Sequence, residues 1–503
     1  MNKNYINTLS FALLFLFASG CYQDLGNYEY NEINEIGFGG FLEEGQSYTL
    51  RVGENFRLEP DLILTMDNSF DPENYEYEWF AHGKGNLLPG DVEKFLSNER
   101  ILDINVTLPP NSYDGYFRVK DKKTGIKFTK KFEFQVITSI YEGWLALCDV
   151  EGKARLDMVS FIEDDTRVIN DVLGFTGSSL SLEGNPVETF TYRYHPQQYG
   201  IYVTTTGNGT TKIDPETFDW DDTQRLSFEM IANAPLDFSA KAMYRNGANS
   251  SYIIGEDDNL YYYLRIFNIR YSVPINKLNT ETQNFKISPY ISTGNDWSTH
   301  TILFDEDNKR FVRHVGSNIL ESAPLPEGTL FDYQIGKDLV YMSYTPYNGG
   351  ETVAVLSDQN SGKFYLARMT QTRNNNIVQT YFQEIAAPNF HLAKNISFHP
   401  SLGYLFYSIG NKVYEYDMFA KTAIEMLDFG NREISLLKFE QFEVLRPYNA
   451  EIPHQLIVST YDNATENSGT IEFYNVPPVN GPLTLSNKYE GLGKIISLSY
   501  RER

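Results

Sequence analysis

The sequence predicts an all-β protein, in which a β-sandwich is followed by a β-propeller of about seven blades. Tyrosine and phenylalanine are abundant, with 36 and 34 among 503 residues, and aromatic side chains favour strands. Short alternating runs are separated by clusters of Gly, Asn and Asp, which are typical turn residues. No segment shows the apolar period of a long amphipathic helix. We therefore divide the chain into a signal peptide (1–20), a tether (21–36), a sandwich (37–138) and a propeller (139–503).

The N-terminus has the layout of a secretory signal. Lys3 precedes an apolar run at residues 9–17, which is too short to span a bilayer as a permanent helix. Residues 18–20 are small (Ala-Ser-Gly), and Cys21 follows them directly. This order resembles the bacterial lipobox, which implies that Cys21 is acylated and anchors the tether to a membrane. The alternative is ordinary signal cleavage beside an incidental cysteine.

Composition limits the partners that we expect. The chain has 66 acidic and 42 basic residues and a formal net charge of -24. This balance argues against nucleic acid, which needs basic patches, and against adsorption on anionic lipid heads. We therefore expect membrane contact only through the lipid anchor. The second cysteine, Cys148, lies in an apolar run and is predicted to be a small buried hydrophobe.

Strand-sized runs at 47–52, 75–80, 114–121 and 130–136 lie among turn clusters in the first hundred residues after the tether. About seven short strands in this length predict an immunoglobulin-like sandwich. Trp79 falls on a middle strand and suits the tryptophan that such sandwiches bury between their sheets. Domains of this kind act as spacers more often than as catalysts.

The rest of the chain contains a faint internal repeat. His195-Pro196 and His399-Pro400 open similar segments that lie 204 positions apart, or four units of 51 residues. We place Asp305, with the same aromatic, turn and strand order, in the series between them. Units near fifty residues, each of a few strands, are typical of propeller blades. Residues 144–503 have room for about seven such units, with six or eight as alternatives.

Hairpins and a closing strand fit the same scheme. Turns at 149–152 and 256–259 each join two strand-like runs. The final run, 493–500, is also strand-like. A propeller must close its ring, so we expect this run to pair with strands near Trp144. Removing it should then open the ring.

Four motifs resemble one family. Residues 21–30 (Cys-Tyr-Gln-Asp-Leu-Gly-Asn-Tyr-Glu-Tyr) are similar to the mature start of Bacteroidetes PKD-like family lipoproteins, and so are residues 141–147 and 491–496. The Tyr-Glu-Trp of 77–79 resembles the central strand of PKD-type domains. The resemblance implies a surface-exposed accessory lipoprotein of the outer membrane, associated with SusC/SusD-type importers. It implies no catalytic residues.

Motifs for chemistry are weak. The seven histidines stand singly, without zinc spacing, and the two His-Pro pairs suit turns better than metal ligands. We expect no cofactor. Calcium is the alternative, because acidic turns at 256–259 and 305–308 offer the oxygen ligands that it prefers. Gly-rich phosphate loops and a Gly-x-Ser-x-Gly motif are absent from the sequence. Carboxylate pairs for glycoside hydrolysis depend on spatial separation, which the sequence does not give.

Aromatic residues in loop-like contexts are the candidate ligand-binding residues. Sugars and peptides both dock on aromatic faces that polar groups flank. For each candidate, packing within the fold is the alternative to ligand contact, and Trp220 also suits an anchor for its own acidic turn. The candidates are Trp220, Trp297, Tyr344 and Tyr347.

Two classes of function follow. The first is a non-catalytic binding or scaffold subunit that captures oligopeptides or glycans and docks on the importer. The second is a surface hydrolase or lyase that acts on glycans in the propeller funnel. The missing motifs and the family resemblance favour the first class. Peptide is slightly favoured over glycan, because at most two tryptophans stand in solvent-facing contexts.

Overall fold

The computed structural model describes residues 32–67, 70–84, 93–137, 140, 142–162, 165–193, 199–231, 233–294, 300–316, 319–371, 376–442, 446 and 449–502. These residues form strands and turns almost throughout, so the predicted all-β class is confirmed. The chain divides into two compact units, Met1–Ile137 (unit 1) and Thr138–Arg503 (unit 2). This division lies one residue before the boundary that the sequence predicts. The signal peptide, Cys21 and most of the tether lie outside the described residues.

Unit 1 has nine strands in its described residues. They are β1 (Ile36–Gly39), β2 (Ser47–Arg51), β3 (Asn55–Leu58), β4 (Asp61–Leu64), β5 (Tyr75–Gly83), β6 (Lys94–Ser97), β7 (Leu102–Asn105), β8 (Asn111–Asp121) and β9 (Lys127–Ile137).

The strands of unit 1 form a sandwich. One sheet has the order β2-β9-β8-β5-β6, with β2 parallel to β9 and the other pairs antiparallel. The two-stranded ladders β1-β4 and β3-β7 contribute to the same apolar core as this sheet. Alternation along β8 produces this arrangement, because every second side chain is buried.

Trp79 occupies the centre of the unit 1 core, as the sequence predicts. Its side chain is fully buried, and its ring stacks on Phe117 of the neighbouring strand with centroids 4.1 Å apart. The indole N–H donates a hydrogen bond to the carbonyl of Glu99 at 2.9 Å. The polar edge of the ring is therefore satisfied while its apolar surface fills the core.

Unit 2 begins with β10 (Glu142–Val150), β11 (Lys153–Ile162), β12 (Asp165–Ile169) and one short α-helix (Val172–Thr176). The next strands are β13 (Pro186–Arg193), β14 (Tyr199–Thr205), β15 (Gly209–Ile213), β16 (Ala240–Asn246), β17 (Ser250–Gly255), β18 (Leu260–Leu264), β19 (Thr301–Asp305), β20 (Arg310–His314), β21 (Ala323–Pro324), β22 (Asp338–Thr345), β23 (Glu351–Asp358), β24 (Lys363–Thr370) and β25 (Gln379–Glu384). The last strands are β26 (Lys394–Phe398), β27 (Tyr404–Ile409), β28 (Lys412–Asp417), β29 (Thr422–Asp428), β30 (Glu433–Lys438), β31 (Gln455–Tyr461), β32 (Gly469–Asn475), β33 (Thr484–Leu492) and β34 (Lys494–Arg501). Short 3-10 turns lie at Pro72–Asn74 in unit 1 and, in unit 2, at Asp222–Gln224, Leu226–Glu229, Arg265–Phe267, Tyr347–Gly349, Phe390–Leu392 and Ile452–His454.

The described strands of unit 2 form antiparallel sheets that follow one another along the chain. We number them sheet 1 (β12-β11-β10-β34), sheet 2 (β13-β14-β15), sheet 3 (β16-β17-β18), sheet 4 (β19-β20-β21), sheet 5 (β22 to β25), sheet 6 (β26 to β29) and sheet 7 (β30 to β33). First strands of neighbouring sheets lie side by side: β13 beside β34 and β16, and β26 beside β22 and β30. Unit 2 is therefore propeller-like.

The C-terminal strand closes unit 2, as the sequence predicts. Strand β34 pairs with β10, so that Trp144 lies opposite Tyr500 and Leu145 opposite Ser499. On its other side β34 contacts β13 and β30. The end of the chain therefore supplies the inner strand of a sheet whose other strands come from the start of the unit.

One repeat assignment from the sequence is wrong. His399 lies in the connection between the first and second strands of sheet 6, and His195 falls in 194–198, outside the described residues. Asp305 instead ends β19, and residues 287–292 pair with β19 where a first strand would lie. Pro289 interrupts that segment and has no N–H to donate, so it forms only isolated bridges rather than a regular strand.

Cys148 is fully buried in the core between sheets 1 and 7, which agrees with the predicted hydrophobic role. Burial raises the pKa of its thiol well above the ordinary value. A thiol kept protonated in this way is a poor nucleophile. Within the described ranges, no helix has both the length and the apolar character needed to cross a membrane.

Candidate functional site

A cavity of about 570 Å³ lies in unit 2, where connections from several sheets meet. We call it the mouth cavity. Apolar and rigid groups, mainly prolines and one phenylalanine, share its wall with an arginine, a glutamine and a histidine. The lining residues are Arg245, Gly247, Ala248, Thr293, Gly294, Pro346, Pro400, Gln441, Phe442, Pro453 and His454.

The topology explains why these residues meet. Gly247 and Ala248 form the turn between the first two strands of sheet 3. Arg245 lies in β16, just before that turn. Pro346 lies between the first two strands of sheet 5, and Pro400 lies between the first two strands of sheet 6. Thr293 and Gly294 follow 287–292 in sheet 4, and the other lining residues belong to the long β30–β31 connection of sheet 7. Because first strands surround a common centre, their exits converge at one end of unit 2.

Arg245 brings a positive charge to this wall. Its guanidinium donates a hydrogen bond to the backbone carbonyl of Gln441 and lies 3.7 Å from the carboxylate of Glu502. The side-chain amide of Gln441 donates to the carbonyl of Tyr344 at 3.3 Å. These contacts link sheets 3, 5 and 7 to the residue that follows β34, and so hold the wall in one arrangement.

Two histidines lie at the edge of the mouth cavity. His454 Nδ1 is 3.3 Å from Ser401 Oγ, and both side chains are exposed. The Nδ1 atom of His399 accepts hydrogen bonds from the backbone amides of Ser401 and Leu402. Burial lowers the pKa of His399 to about 4, and nearby His454 contributes to that shift. His399 is therefore neutral at pH 7 and acts as the acceptor that shapes its turn.

Polar side chains from the first strands, and from residues 287–292, approach one another within unit 2. The Tyr244 hydroxyl donates a hydrogen bond to the Pro289 carbonyl at 2.5 Å, and the rings of Tyr290 and Tyr341 lie 5.7 Å apart. The side chains of Glu188, Tyr290 and Tyr341 lie near enough to contribute to the raised pKa of the Tyr244 hydroxyl. Burial raises the pKa of Tyr244 far above its ordinary value, so this interior holds neutral hydroxyl groups.

Glu188 is the acidic member of this interior. Its Oε2 atom is buried and has no hydrogen-bond partner in the part of the chain that the structure describes. Burial raises the pKa of Glu188 to about 8, and the Met243 amide and the charge of Lys438 oppose that shift. Lys438 itself donates to the Leu498 carbonyl at 2.9 Å. Glu188 is therefore largely protonated at neutral pH and adds little charge to the interior.

Tyr344 and Tyr347, two of the candidate residues, lie beside the mouth cavity with Pro346 between them. Tyr344 contributes its carbonyl to Gln441, while burial raises the pKa of its hydroxyl. The Tyr347 ring packs against Phe398 at 5.7 Å and carries the Arg368 guanidinium 4.8 Å from its centroid. The Tyr347 ring therefore supports the wall by packing, whereas Tyr344 supports it through its backbone carbonyl.

Trp220 lies elsewhere, after the last strand of sheet 2. Its indole N–H donates to Thr211 Oγ1 at 2.6 Å, and its carbonyl accepts from Ser179 Oγ. Arg225 lies 5.1 Å from the ring centroid. These contacts make Trp220 the anchor of its acidic turn. Trp297 falls in 295–299, outside the described residues.

The acidic turns use their carboxylates internally. Asp305 accepts hydrogen bonds from Asn308 and Arg310, and Asp257 accepts from Asn259 and Tyr261. In the described ranges, no cluster of three or more His, Cys, Asp or Glu side chains is arranged to hold a metal ion.

A comparison with protein families adds one result. Residues 21–186 match the PKD-like family. The PKD-like segment begins at Cys21 and ends at Pro186, the first residue of β13, so it spans unit 1 together with β10, β11 and β12. The PKD-like part of the resemblance is thereby confirmed for this segment, and the motif at 491–496 lies outside the match. No curated protein matches the chain.

Several solved structures are similar to the chain at low identity. A quinonprotein alcohol dehydrogenase-like protein from Bacteroides thetaiotaomicron is 11% identical, with 91% of this chain and 99% of that chain covered and a TM-score of 0.45. A DUF4784 family protein from Bacteroides caccae is 11% identical, with 93% and 98% covered and a TM-score of 0.30. YCF48 bound to D1 peptide is 11% identical, with 68% and 91% covered and a TM-score of 0.35.

The sequence did not point to most of the mouth cavity. Arg245, Gln441, Phe442 and His454 lie far apart along the chain and share no local motif. Only the internal repeat indicated part of it, because His399-Pro400 begins one of the connections that line the mouth cavity. Extending the repeat to all first-to-second strand connections would have selected Ala248 and Pro346 as well.

Proposed function

We propose that the protein is a non-catalytic accessory subunit of a SusC/SusD-type TonB-dependent uptake complex. In this proposal Cys21 carries the lipid that anchors it to the outer membrane, with the folded units on the cell surface. The PKD-like match starting at Cys21 supports the anchor, because that residue is the first of the mature chain in the lipobox pattern. Unit 2 is proposed to be a seven-bladed propeller, which the sheet order supports.

The mouth cavity carries the proposal that the protein binds a ligand. Its volume of about 570 Å³ falls in the range of roughly 300–1,000 Å³ that small-ligand pockets occupy. Pro346, Pro400, Pro453 and Phe442 offer apolar contacts, and Arg245 with its neighbours fixes polar groups around them. Rigid walls lose little conformational entropy when a ligand binds.

An oligopeptide is the ligand that this lining suits best. A peptide presents alternating apolar side chains and amide groups, which match proline walls beside the polar ends of Gln441 and His454. Sugar rings prefer broad aromatic platforms. Trp220 instead holds its own turn through hydrogen bonds to Thr211 and Ser179, which makes it a poor platform for a sugar. We therefore propose peptide capture at the mouth cavity and delivery to the importer.

Purification from native outer membranes in mild detergent tests the accessory role. Mass spectrometry should identify a TonB-dependent barrel and its lid lipoprotein together with this chain. Recovery of the chain without any transporter subunit would contradict the role in uptake.

Retention of defined probes tests the ligand class. The purified full chain is incubated with a tryptic digest of casein or with maltodextrin oligosaccharides, and native mass spectrometry reports what stays bound. We expect peptides to be retained, and Ala248→Trp to lower retention at least tenfold by filling the cavity. Ala420→Trp, on an exposed turn of sheet 6, is the matched control. Retention of oligosaccharides alone would contradict peptide capture.

A hydrolase is the second candidate, and the contact between Ser401 and His454 favours it. Serine hydrolysis also needs a group that orients the histidine and donors for an oxyanion. No carboxylate is bonded to His454 in the described ranges, and both side chains are exposed. We therefore rank this function second. Release of fragments from casein or maltodextrin by the wild type, abolished in Ser401→Ala, would reverse the order.

A further inference from the structure

The guanidinium group of Arg193, the last residue of β13, meets no acceptor within the fold. Its buried Nη1 atom has no hydrogen-bond partner, and no carboxylate forms an ion pair with it, in the part of the chain that the structure describes. A guanidinium group has five N–H donors, and a buried donor without an acceptor costs free energy. The side chain as a whole is partly exposed, so an acceptor can approach it from solvent.

The pleat of β13 sets the direction of the Arg193 side chain. Alternate residues of a strand share a face, so Arg193 lies on the same face as Thr191. Thr191 Oγ1 is 2.8 Å from Ser499 Oγ and donates to the Tyr500 carbonyl at 2.6 Å, and both partners belong to β34. The Arg193 side chain therefore projects from β13 towards the end of β34.

The end of β13 also belongs to the surroundings of the mouth cavity. Next to Arg193, the Tyr192 hydroxyl donates a hydrogen bond to the carbonyl of Ala248, which lines the cavity. Strand β13 lies between β16 and β34. The Nη1 atom of Arg245, in β16, is 3.7 Å from the carboxylate of Glu502, which follows β34. This contact therefore joins the two strands that flank β13, and Arg193 lies beside it at the rim of the cavity.

Positive charge exceeds negative charge at this rim. Arg193 and Arg245 supply two positive charges, and Glu502 supplies one negative charge beside Arg245. No Asp or Glu is among the described residues that line the mouth cavity. The chain as a whole has a net charge of -24, so the rim is a local exception in an acidic protein. A local excess of positive charge attracts an anionic group and steers its approach.

A carboxylate is the anionic group that fits Arg193 best. The planar guanidinium group offers two parallel N–H groups, which match the two oxygens of a carboxylate. Every linear peptide has a carboxylate at its C-terminus, and Asp and Glu side chains add others, whereas neutral oligosaccharides have none. We propose that Arg193 binds a carboxylate group of the captured peptide at the rim of the mouth cavity.

This inference rests on the proposed function, in which the ligand is an oligopeptide. Carboxylate binding at Arg193 fixes one point of the peptide, while Pro346, Pro400 and Pro453 contact its apolar groups. The peptide therefore enters the mouth cavity in one orientation. The position of the bound carboxylate, at the C-terminus or on a side chain, decides which orientation that is.

Removing carboxylates from the ligand tests Arg193 directly. A tryptic digest of casein is divided in two, and one half is treated with ammonia and a carbodiimide, which converts its carboxyl groups into neutral amides. Native mass spectrometry then measures the retention of each half by the purified full chain. The variants are Arg193→Gln, which removes the charge, and Arg193→Lys, which keeps the charge but loses the two parallel donors. Arg167→Gln is the matched control, because Arg167 is exposed on β12, the outer strand of sheet 1.

We expect the wild type and Arg167→Gln to retain the untreated digest at least tenfold more strongly than the amidated digest. Arg193→Gln should retain both halves equally, at the level of the amidated digest in the wild type, and Arg193→Lys should fall between. Equal thermal unfolding establishes that all chains are folded. A synthetic copy of the most strongly retained peptide, made with a C-terminal amide or with Asn and Gln in place of Asp and Glu, then identifies the carboxylate that binds.

Equal retention of the untreated and amidated digests by the wild type would overturn the carboxylate site while leaving peptide capture intact. Absence of any retained peptide would overturn both. An effect of amidation that persists in Arg193→Gln would assign the carboxylate to another group and also overturn the proposal.

Discussion

Trp144 and Tyr500 lie opposite each other across the pair of β10 and β34, with their rings edge to face and their centroids 4.8 Å apart. Trp144 lies in the first strand of unit 2 and Tyr500 in the last. Phe442 of sheet 7 contacts both rings. This cluster is the point at which the two ends of unit 2 are held together.

The closing strand should therefore control the stability of unit 2. Deleting 494–503 removes every pairing of β34 and should abolish the cooperative unfolding transition of unit 2. The milder change Tyr500→Ala should lower the free energy of unfolding by about 3 kcal/mol, because a buried aromatic side chain is lost. Chemical denaturation measures both effects. Phe419→Ala is the exposed control, and an equal loss there would contradict a special role for Tyr500.

Glu188 should make stability depend on pH. Its pKa is about 8 in the fold against 4.5 in an unfolded chain, because burial disfavours the charged form. The contribution of Glu188 to the free energy of unfolding is fully present below pH 4.5 and is lost as pH rises through 8. At pH 9 the glutamine variant does not pay the cost of ionising a buried carboxyl group, so Glu188→Gln should gain stability over the wild type as pH rises. Between pH 5 and pH 9, its free energy of unfolding minus that of the wild type should increase by roughly 2–4 kcal/mol. Thermal unfolding at both pH values measures this, with exposed Glu183→Gln as the control.

The same pH profile for wild type and Glu188→Gln would show that another group titrates. Glu183 lies just before β13 and is exposed. A matching change in Glu183→Gln would assign the effect to the loss of any charge near sheet 2 rather than to burial.

Arg265 should be needed to keep Glu229 charged within the fold. Burial raises the pKa of Glu229, but the charges of Arg265 and Lys212 outweigh burial and hold it below the ordinary value. Arg265→Met should destabilise unit 2 by about 3–5 kcal/mol, because a buried carboxylate loses a partner. Adding Glu229→Gln should recover part of that loss. Arg270 is exposed, so Arg270→Ala should change the free energy of unfolding by only about 0.5 kcal/mol. Chemical denaturation of the wild type, the two Arg265→Met chains and this control measures the differences.

Trp79 should be important for the stability of unit 1. Trp79→Ala removes a fully buried ring and its bond to Glu99, and should cost about 3–5 kcal/mol. Calorimetry should show that the unit 1 transition moves to lower temperature while the unit 2 transition stays in place. Phe95→Ala, at a position 65% exposed, serves as the control. Movement of both transitions together would mean that the units unfold as one.

The sequence predicted the features that depend on nearby residues or on an apolar period. The turn at 149–152 between β10 and β11, buried Trp79 and the closing strand all follow from local alternation or from the requirement that a ring closes. Asp305 was misplaced because Pro289 interrupts residues 287–292, which lie beside β19 where a first strand would be, so the β19–β20 hairpin carried the stronger strand pattern.

The mouth cavity was beyond such reasoning for a physical reason. Its wall is assembled from connections of sheets 3 to 7, so residues such as Arg245 and Gln441 become neighbours only after the sheets are arranged about one centre. Glu188 likewise has an ordinary strand sequence around it. Its raised pKa arises from burial in the folded unit, which no local pattern encodes.

The position of β34 also imposes an order in time. A chain is made from its N-terminus, so β10, β11 and β12 exist long before β34 is synthesised. Until then, the edge of β10 presents unpaired amide and carbonyl groups, which is a template for pairing with another chain. Sheet 1 therefore becomes complete only with the last residues, and the nascent protein needs its free edge kept apart from other strands until synthesis ends.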